Sequence, residues 1–178
     1  HIYQGTILEH ILVQNLAQFF NVVEHNIIRL ENADWNDGLD MASHRGESAA
    51  FMSFYGGNFL KIADLLEELS KKKEIETIRL AKELKILFDT LSEKPCDYGS
   101  SEEKKKLLWQ DYFSSVQPEL SGEQMKFKIA DITRDLRAKG HWIFQKIKNS
   151  EKVSVEEKGK TYMWFNGYYD NKGARVEG

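Results

Sequence analysis

The sequence predicts a mainly α-helical protein with about five helices in one domain. Apolar residues recur every three or four positions in successive stretches, as expected when one face of a helix packs against a core. Segments with Pro, Gly and Asn separate these stretches and break the helical pattern. The length of 178 residues is typical of a single domain.

The first helix is predicted over 6–23, where eight apolar residues have the helical spacing: Ile7, Leu8, Ile11, Leu12, Leu16, Phe19, Phe20 and Val23. The following stretch, EHNIIRLENADWNDGLDM, loses this period. We expect a short extended segment at 27–30 and then an irregular loop that contains three aspartates. Residues 34–40 are called the aspartate loop below.

Two further helices are predicted over 47–70 and 73–91. The first half of the earlier one, AAFMSFYGGNFL, is apolar or small on nearly every side, which indicates burial. Gly56 and Gly57 would let a neighbouring backbone approach closely. The later helix would direct one apolar set inward: Ile78, Leu80, Ala81, Leu84, Leu87, Phe88 and Leu91.

The remaining elements follow from capping and turn signals. Ser100 with Glu103 forms a capping-box pattern for a fourth helix that ends near Ser115, and a fifth helix is predicted over 129–148. The tail YMWFNGYYDNKGARVEG is rich in aromatic residues and contains DNKG. This composition predicts a short aromatic hairpin near the C-terminus.

Composition excludes some partners and suggests a compartment. The net charge is -3, with 25 basic and 28 acidic residues interspersed, so no strong positive field would attract nucleic acid. No stretch approaches the roughly 20 apolar residues of a membrane helix, and we expect no membrane partner. The single Cys96 is compatible with a cytoplasmic location. Because the chain starts at His1 and a helical pattern begins almost at once, we expect a fragment of a longer protein.

The three evenly spaced aspartates Asp34, Asp37 and Asp40 could be metal ligands, catalytic acids or turn-forming residues. A calcium loop starting at Asp34 would need its glycine one position later and a glutamate where Arg45 stands. We therefore expect no metal and no cofactor.

Glycosidic chemistry fits these residue types better. An inverting transfer needs a carboxylic acid to protonate the leaving oxygen, and a tryptophan can pack against a sugar ring. Aspartates in loops also cap helices and form local turns, and spacing does not exclude that role. Similarly, Trp164, Tyr168 and Tyr169 could stack on a sugar, although packing is the more common role of such residues. We expect structural roles for His25, His44 and Glu47.

Two blocks of the sequence carry a specific resemblance to a known family. The N-terminal block, 24–51, is EHNIIRLENADWNDGLDMASHRGESAAF, and the C-terminal block, 164–178, is WFNGYYDNKGARVEG. Together they resemble the catalytic domain of the cellobiose phosphorylase-like enzymes, glycoside hydrolase family 94, formerly glycosyltransferase family 36. The resemblance implies part of an (α/α)6 barrel, with 1–178 a single fragment of that catalytic domain. It also implies phosphorolysis of β-linked glucosides with inversion, which releases a sugar 1-phosphate.

The resemblance also assigns roles to residues of the aspartate loop. The second aspartate of the DWND motif, here Asp37, would be the general acid. Trp35 would line the sugar subsite, and Asp34 and Asn36 would shape the loop against the substrate. One acid is sufficient because phosphate is already an anion and needs no base to deprotonate a water. The pKa of Asp37 would have to be raised, and Trp35 could supply part of the desolvation.

These implications set the expected partners and leave two alternatives open. The partners would be a β-linked oligosaccharide and inorganic phosphate as co-substrate. The family's phosphate-binding residues lie mostly beyond these 178 residues, so we expect the isolated chain to be inactive. It should bind the remainder of the barrel or self-associate through uncovered apolar helix faces. The alternatives are an inverting glycoside hydrolase on a similar barrel and a non-catalytic helical module that binds carbohydrate or protein.

Overall fold

A computed structural model describes residues 3–30 and 37–176, with the side chains of 37–39 outside that description. The described chain is mainly α-helical. Its helices are α1 (Ile7–Phe20), α2 (Ala49–Lys73), α3 (Leu84–Leu87), α4 (Ser101–Lys106), α5 (Phe113–Ser115) and α6 (Ile129–Ser150). Short 3-10 helices cover Asp37–Ala42 and Asp89–Leu91, and a π-helix covers Leu107–Tyr112. Among these residues no helix has the length and apolar character needed to span a membrane.

Helix α1 matches the first predicted helix and begins at a complete capping box. The hydroxyl of Thr6 accepts a hydrogen bond from Glu9 N, and the Glu9 carboxylate accepts one from Thr6 N at 2.6 Å. Four residues on one face of α1 are fully buried, namely Leu12, Leu16, Phe19 and Phe20. This face anchors the main core.

The long helices α2 and α6 correspond to the second and fifth predicted helices and pack closely against each other. A Cβ atom at Gly56 would lie 2.8 Å from Ile143 Cγ2. A Cβ atom at Gly140 would lie 2.9 Å from Leu60 Cδ2 and 3.1 Å from Gly56 O. A Cβ atom at Gly57, in contrast, would meet no atom of another element within 4 Å. Only Gly56 therefore serves the close approach expected of the pair.

The predicted third helix, over 73–91, is wrong. Strand β2 (Thr77–Ala81) occupies its first half and pairs antiparallel with β3 (Gln124–Lys128). Glu74, in the left-handed conformation at φ 54°, ends α2 before this strand. The physical reason is an alternation that also fits a strand: Ile78 lies opposite Phe127 and Leu80 opposite Met125. Only α3 and the 3-10 helix Asp89–Leu91 retain helical structure in this segment.

The fourth predicted helix is present as a continuous helical segment from α4 to α5. The Ser100 hydroxyl accepts a hydrogen bond from Glu103 N at 3.1 Å, as the capping pattern predicts. The Glu103 carboxylate accepts from Asp97 N at 2.9 Å instead of from Ser100 N. The cap therefore ties the helix to the preceding turn.

Strands dominate the segment after α6. The hairpin of β4 (Lys152–Glu157) and β5 (Lys160–Phe165) turns at Lys158 and Gly159, which both have positive φ. This hairpin was not predicted. A separate three-stranded sheet has the order β1, β6, β7, formed by Glu47–Ser48, Tyr168–Tyr169 and Arg175–Val176.

A buried charged cluster joins α6 to the segment around Asp89. Lys139 Nζ lies 2.7 Å from both Asp89 Oδ1 and Asp135 Oδ2, and all three side chains are buried. Tyr98 donates a hydrogen bond to Asp89 Oδ1 at 2.8 Å. The two carboxylates share the single ammonium group of Lys139, and Thr90 donates two further hydrogen bonds to Asp135, so burial of this cluster is compensated in part within the protein.

Lys104 lies beside this cluster but is not hydrogen-bonded to a described residue. Its side chain is fully buried, and no described residue accepts a hydrogen bond from its Nζ atom. Nζ lies 3.6 Å from the ring centroid of Trp142 and 4.2 Å from that of Phe19. Desolvation by burial holds the pKa of Lys104 well below its ordinary value.

Candidate active site

The aspartate loop lies only partly within the described structure. Asp34, Trp35 and Asn36 lie outside the described residues. Asp37 begins the 3-10 helix Asp37–Ala42, and its backbone alone is described. The roles predicted for these four residues therefore remain predictions. What the structure describes is how the end of this 3-10 helix and the residues that follow it are held.

Asn171, in the DNKG turn of the C-terminal block, holds the end of the aspartate loop. Its Oδ1 atom accepts hydrogen bonds from His44 N and Arg45 N, each at 2.8 Å. Its Nδ2 atom donates to Asp40 O at 3.3 Å, and its backbone N–H donates to Met41 O at 2.7 Å. One residue thus satisfies several backbone groups of a loop that lacks a regular partner.

Pairing of short strands joins the same two blocks. Glu47 lies opposite Tyr169 and Ser48 opposite Tyr168 in the antiparallel β1–β6 pair. Next to this pair, Ala49 N donates to Gly167 O at 2.9 Å. The N-terminal and C-terminal blocks, separated by more than a hundred residues in the sequence, therefore form one continuous structure.

Gly46 is required by the close approach of the chain after the 3-10 helix. Its N–H donates to Ala42 O at 2.9 Å, and its carbonyl accepts from Leu30 N at 2.8 Å. A Cβ atom at this position would lie 2.2 Å from Ala42 O. Any side chain at this position would displace Ala42 and the 3-10 helix Asp37–Ala42 that ends there.

Glu47 is buried and contacts His25 rather than capping a helix. Ser48 is the N-cap of α2, because its hydroxyl accepts from Phe51 N at 3.1 Å. The Glu47 carboxylate is 1% exposed and accepts from His25 N at 2.9 Å, with His25 Nδ1 at 3.4 Å. Burial raises the pKa of this carboxyl group, and the contacts with His25 oppose that rise.

Tyr169 connects this carboxylate to a second one. Its ring stacks on the imidazole of His25, with 3.8 Å between centroids and an interplanar angle of 9°. Its hydroxyl donates to Glu151 Oε2 at 2.8 Å, and Asn166 Nδ2 donates to the same oxygen at 3.1 Å. Tyr169 is buried, so in this structure its ring packs within the protein rather than presenting a surface to a sugar.

A cleft of about 700 Å³ with both polar and apolar lining opens beside the stacked rings. Its lining includes Glu24, His25, Trp142, Lys146, Glu151 and Tyr169. Hydroxyl-rich ligands are bound by such mixtures of aromatic and hydrogen-bonding side chains. Among the described residues, those that line this cleft next to the joined blocks could therefore bind part of a carbohydrate.

Sequence reasoning missed the supporting residues more than the loop itself. Asn171 was treated only as part of a hairpin turn, although an asparagine in a turn can accept two backbone N–H groups. Glu151 has no sequence motif that distinguishes it from the other glutamates. Within the described residues no cluster of His, Cys, Asp and Glu side chains is arranged to hold a metal ion.

Models of known protein families give no match to this chain, and neither do the curated protein sequences.

Proposed function

We propose that this chain is part of the catalytic domain of an inverting glycoside phosphorylase that cleaves β-glucosidic bonds with inorganic phosphate. Asp37 is the general acid, Trp35 packs against the sugar, and Asp34 and Asn36 shape the subsite. The product is a sugar 1-phosphate, no cofactor is needed, and the protein is cytoplasmic.

The observation that supports this proposal most is the union of the two blocks that carry the family resemblance. They were identified as separate stretches of sequence, and Asn171 and the β1–β6 pair hold them together. A resemblance arising by chance would give no reason for such distant segments to meet. Asn171 also contacts Asp40 O and Met41 O near the end of the 3-10 helix that Asp37 begins, and a helix fixed at one end is suited to positioning a catalytic acid.

The fold is proposed to be part of an (α/α)6 barrel. Several apolar side chains on the outer faces of α1 and α2 are exposed, and Phe54 is 64% exposed. Others on the same two helices are Ile7, Ile11, Leu65 and Leu69. Such faces are suited to packing against further helices, which would complete a barrel.

The chemistry proceeds with a single carboxylic acid. A protonated Asp37 donates its proton to the glycosidic oxygen while phosphate attacks the anomeric carbon from the opposite face. Phosphate becomes covalently bound to that carbon with inversion, and the leaving sugar departs with the proton. In a hydrolase, a second carboxylate would have to deprotonate water, which phosphate makes unnecessary.

The test uses the longer protein that contains these residues and compares two substitutions. Asp37→Asn should lower phosphate-dependent formation of sugar 1-phosphate by about 100-fold or more, since general acid catalysis contributes about 10²–10⁴-fold. Asp40→Asn is the matched control, because Asp40 lies exposed on the same 3-10 helix. It should retain activity within about threefold, which corresponds to a change of less than about 1 kcal/mol in the activation free energy.

Three outcomes contradict the proposal. Full activity of Asp37→Asn would remove this residue from the role of acid. Product formation that is independent of phosphate would favour a hydrolase. The 178-residue chain alone should show no turnover, and sugar 1-phosphate formation by it would contradict the proposal that the barrel is incomplete.

A further inference from the structure

The outer edge of strand β4 has no partner strand in the part of the chain that the structure describes, since β4 pairs only with β5. The two-residue turn makes Glu157 and Lys160 the pair that closes the hairpin with hydrogen bonds. Hydrogen-bonded and non-hydrogen-bonded pairs alternate along an antiparallel ladder. The backbone groups of Lys152, Ser154 and Glu156 therefore point away from β5, towards the free edge.

The hairpin also exposes apolar side chains on both faces. Val155 and Tyr162 form a cross-strand pair on one face and are 46% and 51% exposed. Met163 and Phe165 lie on the other face and are 61% and 56% exposed. A two-stranded hairpin with this much exposed apolar surface is marginally stable alone, and additional strands would stabilise it.

We propose that β4 pairs antiparallel with β4 of a second copy of this chain, across a two-fold axis that passes midway between Ser154 and Ser154 of the second copy. The two hairpins then form one four-stranded sheet. Residues that lie opposite each other in a sheet have side chains on the same face, and a two-fold axis normal to the sheet keeps each side chain on its face. A residue of one copy can therefore lie opposite only the same residue of the second copy, or a residue an even number of positions away from it.

Charge complementarity selects the register in which Ser154 lies opposite Ser154 of the second copy. In this register Lys152 lies opposite Glu156 of the second copy, and the symmetry generates this ion pair twice. Val153 lies opposite Val155 of the second copy, also twice. The outward backbone groups of Lys152, Ser154 and Glu156 then pair with one another.

The neighbouring registers and the other edge of the hairpin lack this match. An axis at Val153 places Lys152 opposite Ser154, and an axis at Val155 places Glu156 opposite Ser154, so neither forms an ion pair. On β5 the outward residues are Thr161, Met163 and Phe165, which carry no charge. The β4 edge is thus the self-complementary one.

A charge-swap experiment tests the register. Lys152→Glu places two glutamates opposite each other, and Glu156→Lys places two lysines opposite each other. Each single substitution should weaken dimerisation at least about tenfold, because two ion pairs become two like-charge pairs. The double variant restores both ion pairs with reversed sign and should dimerise within about threefold of the unmodified chain.

Sedimentation of the 178-residue chain over a range of concentrations measures these affinities. Dimerisation by the single variants equal to that of the unmodified chain would overturn the proposal. Failure of the double variant to recover would also overturn it, as would an unmodified chain that is monomeric at every concentration.

Disulfide cross-linking provides a second readout that does not depend on charge. Ser154 and Met163 lie opposite each other in the hairpin and are both exposed, so they form a matched pair. Residues paired on a two-fold axis in a ladder have Cα atoms about 5.5 Å apart, within the range of a disulfide. In a Cys96→Ser background, Ser154→Cys should form a covalent dimer upon oxidation, whereas Met163→Cys should remain monomeric. Cross-linking through residue 163 alone, or through neither residue, would overturn the proposal.

Discussion

Asn171 contacts backbone groups that lie 126 to 131 positions earlier in the chain. Its amide is well matched to this task because the oxygen accepts from two adjacent backbone N–H groups while the nitrogen donates to Asp40 O. Alanine would provide neither function. The backbone conformation between Asp40 and Arg45 therefore depends on a side chain from the C-terminal turn.

We expect Asn171→Ala to lower the free energy of unfolding by about 0.5–1.5 kcal/mol, the usual net contribution of such hydrogen bonds. The site is exposed, so water replaces part of the loss. Amide exchange at His44 and Arg45 should become faster, which hydrogen exchange measures residue by residue. Lys172→Ala is the control, because that exposed side chain lies in the same turn. Equal exchange rates in the two variants would contradict the role of Asn171.

Lys104 gives stability a pH dependence of identifiable sign. Desolvation lowers its pKa in the folded protein, whereas the unfolded chain keeps the ordinary value of 10.5. Between these two pKa values the unfolded chain binds more protons than the folded one. This residue therefore destabilises the fold increasingly as pH falls from 10.5 towards the lowered pKa.

Lys104→Met should raise the free energy of unfolding at pH 6 by about 1–3 kcal/mol, because a buried donor without an acceptor is removed. The gain should shrink as pH approaches 10, and urea unfolding across this range measures it. Lys106→Met, on the exposed surface of the same helix, controls for the loss of one positive charge. A gain that is independent of pH would contradict the assigned direction of the pKa shift.

At the scale of elements, the packing of α2 on α6 depends on glycines. The Cβ of an alanine at position 140 would lie 3.1 Å from Gly56 O and 2.9 Å from Leu60 Cδ2. A backbone oxygen cannot move without displacing the helix, although a leucine side chain can rotate. The two axes would therefore have to separate.

Gly140→Ala should lower the free energy of unfolding by about 1–3 kcal/mol, the usual cost of overpacking. Gly57→Ala is the matched control, because it makes the same change within α2 at a position where the added Cβ atom would meet no other element within 4 Å. It should instead stabilise the protein by about 0.5–1 kcal/mol, since alanine favours the helix more than glycine does. Thermal or urea unfolding measures both, and equal signs for the two substitutions would contradict this account.

The elements differ in how far the sequence could predict them. Helices α1, α2 and α6 have long apolar periods, and local sequence was sufficient to predict them. The segment 77–81 contains apolar residues that fit either a helix or a strand, and its structure is decided by pairing with 124–128. That partner is distant in sequence, so a local pattern could not reveal it.

At the scale of the whole molecule, the candidate site was only partly predictable. Loop residues could be proposed from residue type and resemblance, because DWND and RGES are local motifs. The supports Asn171, Glu151 and Tyr169 are brought close by the folding of the complete chain. Their roles depend on distances that no local spacing contains.

The joining of the two blocks also has a consequence for synthesis. The ribosome makes the aspartate loop before α2, α6 and the β4–β5 hairpin, and Asn171 and strand β6 emerge only after these elements have been made. Throughout that interval Glu47 has no β6 partner, and His44 N and Arg45 N have no side-chain acceptor from the C-terminal turn. The helical core can assemble first, since α1, α2 and α6 precede the turn. The backbone from Asp40 to Arg45 can therefore be fixed by the C-terminal block only after the elements between the two blocks have been made.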